Sequence, residues 1–538
     1  MLVGHRSRVE DFWFATCWSS VCLRVSVVRV SLNSRRSGTQ VSVFKRFCRE
    51  WLTMMKRVSF LIFFASLALL CLGVSADEPS GAPPTESAPV NVVLILIDDL
   101  GWSDLGCYGS SYYRTPNIDA LAQGGVKFTD GYAACNVCSP TRAAILSGKY
   151  PARLLLTQWL PSGRWNAQKN RMREARYVSN LPLEEVTIAE AMREAGYRTA
   201  FMGKWHLGTE TYYYPEHQGF DLNVAGRDYG APGSYFYPFE GKWKIPTTGQ
   251  VLKKASPLSG KAGDYLVDRL AQEAEKFIVS SKDTPFFLML SHYAVHSPLQ
   301  GKPGKVKDYE QMPPEQRQGK PAYAAMVESI DDSVGRVMGT LQRLNLQDNT
   351  LVIFTSDNGG FAKATSNSPL RANKGSNYEG GIRVPVLMHW PGHIAPGSVC
   401  SEPIISNDFY PTILDASGIE SKPFQHMDGM SLLPLLADQG EFERDAIYWH
   451  YPHYNQHPES FPSGVIRDGD WKLIENFETG ELQLFNLASD IGESTNLVQQ
   501  ESALTATLLA KLKRWRTSVG ADPMLENQQY RGDANSSK

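Results

Sequence analysis

The chain of 538 residues is 42% hydrophobic and 20% charged, which excludes a disordered protein and fits two domains or one large domain with an appendage. Its 54 basic and 56 acidic residues sum to −2, but residues 1–76 hold 11 of the bases and 3 of the acids, leaving −10 to the remainder. An acidic remainder argues against a broad polyanion-binding surface, so no nucleic acid is expected and an anionic substrate would be met in a local basic pocket.

Residues 1–53 show no clear period and stand upstream of a complete export signal. They read as an extension ahead of a true start at Met54 or Met55. Residues 54–76 read as a signal peptide, with Met55-Lys56-Arg57, the apolar run Val58 to Leu72, and Val74-Ser75-Ala76 before Asp77. The run is too short for a comfortable membrane span. A secreted or periplasmic protein with no stable membrane insertion is therefore expected. Residues 77–89 read as a flexible linker. Processing would leave four of eight cysteines, Cys107, Cys135, Cys138 and Cys400, too few for a disulfide scaffold. Whether any of Cys107, Cys135 and Cys400 are paired is left open.

Val90 to Asp99 is a continuous apolar, β-branched run ending in two carboxylates, the pattern of a strand buried on both faces. Thr115-Pro116 opens a short helix closed by Gly124-Gly125, and Val126 to Phe128 follows as a strand. Cys138-Ser139-Pro140-Thr141-Arg142 then leads an apolar helical run to Ser147-Gly148. Pro140 suits the first turn of a helix and Gly148 its far end. Leu183 to Ala195 reads as a helix and Tyr197 to Met202 as a strand running into Gly203-Lys204-Trp205-His206. Tyr265 to Ser280 is helical, Pro285 to Leu290 a buried strand, Ala322 to Leu344 a long helix, and Thr350 to Thr355 another strand. Val465 to Asn476 and Glu481 to Asn486 read as antiparallel strands joined at Glu478-Thr479-Gly480, ahead of an amphipathic helix over Ala503 to Trp515. The alternation predicts an α/β fold with a large, mainly parallel central sheet flanked by helices. A catalytic domain over 90–400, a smaller C-terminal α+β domain with an antiparallel sheet over 401–526, and a flexible tail over 527–538 are expected.

Polar residues recur just past four strand ends: Asp98-Asp99, Lys204 with His206, His296, and Asp357-Asn358. In open α/β sheets ligands bind at that edge. Three carboxylates and an amide suit a hard divalent cation, Ca2+ or Mg2+, rather than zinc. Lys204 and His206 are two apart, on one side if their segment is extended. The stretch from Lys374-Gly375 to Pro385 is glycine-rich, which lets the backbone approach a ligand. Cys138 at a helix start faces free N–H groups. Metal, cations and a helix start together describe a pocket for a tetrahedral oxyanion ester.

At these residues the chain resembles the type I, formylglycine-dependent sulfatases of the alkaline phosphatase superfamily. The resemblance spans the mature chain, through IDDLGWSDLGCYG from Ile97, CSPTRAAILSG, GKWHLG, AVHSP, SDNGG, KGSNYEGGIRVP and GDWKLIE. Thr141 and Ser147 depart from the commonest form, and both keep a hydroxyl. The resemblance implies an alkaline phosphatase-like fold and a Cys138 oxidised to formylglycine by a formylglycine-generating or anaerobic sulfatase-maturing enzyme. The hydrate of that aldehyde would attack sulfur with one hydroxyl and expel sulfate with the other. Asp98, Asp99, Asp357 and Asn358 would hold one Ca2+, and Asp357 would also help activate the attacking hydroxyl. Arg142 and Lys204 would hold hydrate and sulfate oxygens. His206 would act as base, and His296 and Lys374 would contact sulfate and protonate the leaving oxygen.

The expected substrate is a sulfated carbohydrate or aryl sulfate ester, because large extracellular sulfate esters are mostly glycans. Candidate pocket walls are Arg227 and Asp228 with Tyr229 and Tyr235-Phe236-Tyr237, and His450 and His453 around Tyr451-Pro452. Two alternatives stand beside this reading. One is a phosphonate or phosphodiester hydrolase of the same superfamily. The other is a non-catalytic sulfated-glycan binding protein in which Cys138 stays a thiol.

Overall fold

Asn91–Ile97 (β1) is buried over its whole length, and the layers of the protein are arranged around it. A computed structural model describes residues 89–531 apart from 162, 209–210, 245–248, 250, 255–257 and 437–441. The expected upstream extension, signal peptide and all but one residue of the linker lie outside the described residues, as does the tail from 532. In chain order the further elements of the large layer are Pro116–Gln123 (α1), Val126–Phe128 (β2), Cys138–Ser147 (α2), Ile188–Glu194 (α3), Arg198–Gly203 (β3) and Leu222–Val224 (β4). Leu266–Ser280 (α4), Phe286–Ser291 (β5), Pro321–Arg343 (α5), Thr350–Ser356 (β6), Val386–His389 (β7), Ser398–Cys400 (β8) and Phe409–Ala416 (α6) complete it.

The eight strands form one sheet in the order β8-β2-β7-β6-β1-β5-β3-β4. Every neighbour pair is parallel except the two that β7 makes with β6 and β2. This is the large, mainly parallel sheet expected of the sequence. Alternate residues of β1 enter two separate cores. Val93, Ile95 and Ile97 pack with Ile118 of α1, Leu270 and Phe277 of α4, and Ile330 and Val334 of α5. Val92, Leu94 and Leu96 pack with Ile145 and Leu146 of α2, Met192 of α3 and Ile413 of α6. Helices cover both faces, so the strand needs no polar alternation. Each fully buried aliphatic side chain contributes about 1.5–3 kcal/mol.

The C-terminal layer is a second sheet. Ile447–Tyr451 (β9), Ser463–Asp468 (β10), Trp471–Asn476 (β11) and Leu482–Asn486 (β12) run antiparallel in sequence order. Ser502–Ser518 (α7) lays Leu508, Leu512 and Trp515 on Val465, Ile474 and Leu484. Residues 404–436 supply Ile404, Phe409, Ile413, Leu432 and Leu436 to the core of the large sheet, so the antiparallel layer begins at Ile447. The described residues belong to one compact unit. Among the described residues no helix is long and apolar enough to cross a membrane.

Two local expectations are corrected. The helix expected over Leu183 to Ala195 starts only at Ile188, because Thr187 caps it: its Oγ1 accepts from the Glu190 N–H, and the Glu190 carboxylate accepts from the Thr187 N–H. The single strand expected over Val465 to Asn476 folds back at Gly469, whose φ is 56°, into β10 and β11. Cys107, Cys135, Cys138 and Cys400 are all free thiols.

A buried ionic cluster ties the two layers. Lys472 on β11 is fully buried and lies 2.8 Å from both Glu379 and Glu493. Glu379 also accepts from the Tyr132 hydroxyl at 2.6 Å and pairs with Arg383 at 3.1 Å. Burial pushes the Glu493 carboxyl up to about 7, against the pull of Lys472. Burial acts on Glu379 too, but Lys472, Arg383 and Arg467 outweigh it and hold that carboxyl low. Removing one partner of such a cluster strands a buried charge. Lys472→Met is therefore expected to lower unfolding stability by about 3–5 kcal/mol, read as a fall in the urea midpoint; an unchanged midpoint contradicts this account.

Candidate active site

The C-terminal ends of β1, β3, β5 and β6 converge on the first turn of α2. β1 ends one residue before Asp98-Asp99, β3 one residue before Lys204, β5 at Ser291, and β6 one residue before Asp357-Asn358. Parallel pairing in register puts these ends side by side, with Ile97 opposite Ser356 and Gly203 opposite Ser291. Gly203 has φ 105° and a Cβ there would collide with the Ser291 carbonyl, so β3 can run past β5 only with glycine at its end.

Arg142 of α2 joins these ends from inside, at 1% exposure. Its Nε donates to Asp357 Oδ2 at 2.8 Å, and Nη2 lies 2.7 Å from the same oxygen. Nη1 donates to the Lys204 carbonyl at 2.7 Å and to Ser291 Oγ at 2.6 Å. Ser291 Oγ donates to the Lys204 carbonyl at 2.8 Å. Lys204 Nζ, fully buried, donates to Asp98 Oδ2 at 2.7 Å. Lys374 Nζ donates to Asp99 Oδ1 at 2.5 Å and lies 3.5 Å from Cys138 Sγ. Cys138 Sγ lies 3.7 Å from Asp98 Oδ1. The three buried carboxylates Asp357, Asp98 and Asp99 are thus matched one for one by Arg142, Lys204 and Lys374.

Ligand atoms of Asp98, Asp99, Asp357 and Cys138 all fall within 4.8 Å of one another. Asn358 stands beside them, its Nδ2 donating to Asp99 Oδ1 at 2.8 Å, while its buried Oδ1 has no hydrogen-bond partner. An unpartnered buried amide oxygen next to three crowded carboxylates is what a hard cation would relieve. Burial pushes Asp98 up to about 8, Lys204 pulling against it and Asp357 and Asp99 adding to it. Burial also acts on Asp99, but Lys374, His296 and Lys204 prevail and hold its carboxyl below the usual range. Asp99 takes a left-handed φ of 63°, a conformation Asp tolerates better than most side chains. The Cys138 thiol is pushed up to about 12 by burial, with the two lysines opposing and Asp357 and Asp98 reinforcing.

The segment Gly203 to His206 is not extended, contrary to expectation. His206 has φ 61°, so it turns away from Lys204 into the wall of a cleft of about 460 Å3 above Cys138. Its Nε2–H donates to the Leu160 carbonyl at 2.6 Å, leaving Nδ1 as the lone-pair nitrogen, buried and without a partner. Burial and Lys204 hold the ring neutral, its pKa well below the usual value. His296 donates from Nδ1 to the Ser297 carbonyl at 2.8 Å and turns Nε2 toward Asp99, 3.7 Å away. Burial and Lys374 also keep it well below its usual pKa.

Cys138, Asp99, His206, His296 and Lys374 line the cleft. Arg142, Lys204, Asp98, Asp357 and Asn358 sit behind that lining, all 1% exposed or less. The expected pocket-wall residues are not brought to it. Arg227 lies over the Tyr214 ring, and its main chain accepts from the His206 N–H. Asp228 precedes the lining stretch Gly230 to Gly233. Tyr235 is buried and donates to the carbonyls of Tyr293 and His296. His450 reaches the Asp522 carbonyl, and His453 is fully buried against Thr157. The walls are instead Trp159, Arg164, Lys242, Phe361, Gln456 and His457. No sequence pattern marks these loop residues. Ser291 was within reach, as the last residue of a strand delivering to the same edge.

A family model described as Sulfatase matches residues 90–419, and one described as N-sulphoglucosamine sulphohydrolase, C-terminal, matches residues 372–518. The chain is 33% identical to a Sulfatase of Formosa agariphila, over 86% of this chain and 94% of that one. It is 33% identical to human Arylsulfatase A, over 79% of this chain and 87% of that one. The crystal structure of Ps i-CgsB in complex with k-i-k-neocarrahexaose superposes with a TM-score of 0.66 at 30% identity, covering 82% of this chain and 94% of that one.

Gly230 lies against the His206 ring, and a Cβ there would stand 2.6 Å from Cε1. The ring would have to shift off the Leu160 carbonyl. Gly230→Ala is expected to lower kcat by about 100-fold, the order of loss that an ångström of misplacement brings, while the unfolding midpoint moves little. Wild-type kcat in the variant would mean that the His206 position does not matter.

Proposed function

The chain belongs to the sulfatase family, the sulfuric ester hydrolases of the alkaline phosphatase superfamily, and on that premise we propose that its substrate is a sulfated carbohydrate met outside the cytoplasm. We infer further that the nucleophile is a formylglycine made from Cys138 and that the resident metal is Ca2+. The observation that carries the reading is the place of Cys138. It lies at the start of α2 and on the cleft lining, with Lys374 Nζ at 3.5 Å and a buried oxygen-donor cluster beneath it.

Asp98, Asp99, Asp357 and Asn358 would hold the cation, which supplies positive charge against sulfate oxygens and lowers the pKa of a neighbouring hydroxyl. The aldehyde hydrate at position 138 supplies two hydroxyls, one to attack and one to expel sulfate, which a thiol lacks. Arg142 and Lys204 fix Asp357 and Asp98 from behind, so the carboxylates cannot swing into the cleft. Lys374 reaches both Asp99 and residue 138 and, beside the His296 ring on the same lining, its ammonium is placed to give the departing oxygen a proton. His206 keeps Nδ1 free by donating from Nε2 to Leu160, which is the state a base needs. Burial of the whole set keeps bulk water from screening these charges.

The carbohydrate reading draws support from a cleft volume suited to a small ligand or sugar unit, from Trp159 and polar side chains on its walls, and from the hexaose bound to Ps i-CgsB. Export draws support from the run Val58 to Leu72 and its flanks.

Mass spectrometry of the peptide containing Cys138, from chain made alongside a formylglycine-generating or anaerobic sulfatase-maturing enzyme, is expected to show an aldehyde in place of the thiol. Sulfate release should scale with the fraction converted; full activity of the thiol form would sink the reading. EDTA should abolish release and added Ca2+ restore it, whereas turnover indifferent to EDTA removes the metal from the account. Release from aryl sulfates but from no sulfated glycan removes the carbohydrate.

A further inference from the structure

The charges at the floor of the cleft are balanced, and those on its wall are not. Arg142, Lys204 and Lys374 each have a buried carboxylate partner. Arg164 and Lys242 line the same cleft, and among the described residues neither pairs with a carboxylate. Arg164 is nevertheless held. Its Nε donates to Gln456 Oε1 at 2.5 Å, and its guanidinium carbon lies 4.8 Å from the centre of the Trp159 ring. Those two contacts fix the plane of the group. Nη1 is shielded from solvent and has no hydrogen-bond partner. A shielded guanidinium N–H without an acceptor is costly, and proteins seldom leave one so.

Other places carry less. The cavity beside His450 and Phe477 is bordered by Lys513 and by Arg516, but Arg516 is already paired with Glu475 at 2.5 Å. The cluster around Lys472 is closed on itself.

We propose that Arg164, together with Lys242, forms a second anion-binding position, so that the substrate carries a further acidic group, sulfate or carboxylate, near the ester that is cleaved. The inference rests on the sulfatase reading of the cleft and narrows its substrate to a polyanionic saccharide. A planar guanidinium with one edge held by Gln456 offers the other edge to an oxyanion, and the Lys242 ammonium adds a mobile point charge. Trp159 holds the guanidinium in place.

Crystals of the matured full chain soaked in sodium selenate test the subsite without reference to any sugar. Anomalous density is expected beside residue 138 and again within hydrogen-bond reach of the Arg164 guanidinium, with the second peak lost in Arg164→Gln. A peak beside residue 138 alone overturns the proposal. The source of the second acid is read from kinetics. One arm compares kcat/KM for N-acetylgalactosamine 4,6-disulfate and the 6-sulfate; the other compares the 6-sulfate with and without a linked glucuronic acid. Arg164→Gln is expected to reduce the ratio of one arm roughly 10–100-fold. Losses equal on both members of each pair also overturn it. Wild-type protein that binds selenate at Arg164 yet releases sulfate from no ester would leave the subsite standing and defeat the sulfatase reading.

Discussion

One guanidinium, that of Arg142, holds the catalytic floor together. It comes from α2 and reaches the ends of three strands, through Asp357 after β6, Ser291 on β5 and the Lys204 carbonyl after β3. A buried charge is tolerable only when it is paired and hydrogen-bonded, and here Asp357 pairs with it while Nε and Nη1 donate to three acceptors. The consequence runs in both directions. The helix start that carries Cys138 is fixed against the sheet, and the carboxylates are fixed against the helix start. Arginine suits the position where lysine would not, because only a fork can serve acceptors lying in different directions.

The second sheet contributes to the site although it adds no residue to the floor. Lys472 on β11 grips Glu379, which follows Lys374 by five residues in a glycine-rich stretch. Tyr378 and Ile382 of that stretch pack into the core beneath the second sheet, and the buried cluster adds an ionic anchor beside them. The loop after β9 brings Gln456 and His457 to the cleft. The two layers are thus joined at the site they build, which agrees with family models that overlap between residues 372 and 419.

The floor was legible in the sequence for a simple reason. A parallel strand reads as an apolar run, and the polar residues just past its end must lie at one edge of the sheet. Asp98, Asp99, Lys204, Asp357 and Asn358 all obey that rule. The walls were not legible, because Trp159, Arg164, Lys242, Gln456 and His457 meet only through the packing of separate segments, and nothing local marks them. His450 and His453 show the converse. An aromatic and basic cluster reads as a pocket wall, yet His450 lies in strand β9 and His453 just after it, and both side chains are consumed in internal contacts. Backbone handedness was likewise hidden: His206 adopts a left-handed conformation that its residue type does not announce, and the turn at Gly469 divides what the hydrophobic pattern presents as one strand.

The division between a floor made of strand ends and walls made of connecting segments has an evolutionary consequence. Substitutions on the floor disturb buried charge pairs and put the fold itself at risk. Those on the walls fall in loops and in the short strand Gly241–Lys244, where a change away from special features shifts stability by about 0.5 kcal/mol or less and loop insertions are readily accommodated. The chemistry of this chain is therefore hard to alter, while its choice of sulfate ester is free to drift. Descendants of such a chain would diverge first in which ester they accept and last in how they break it.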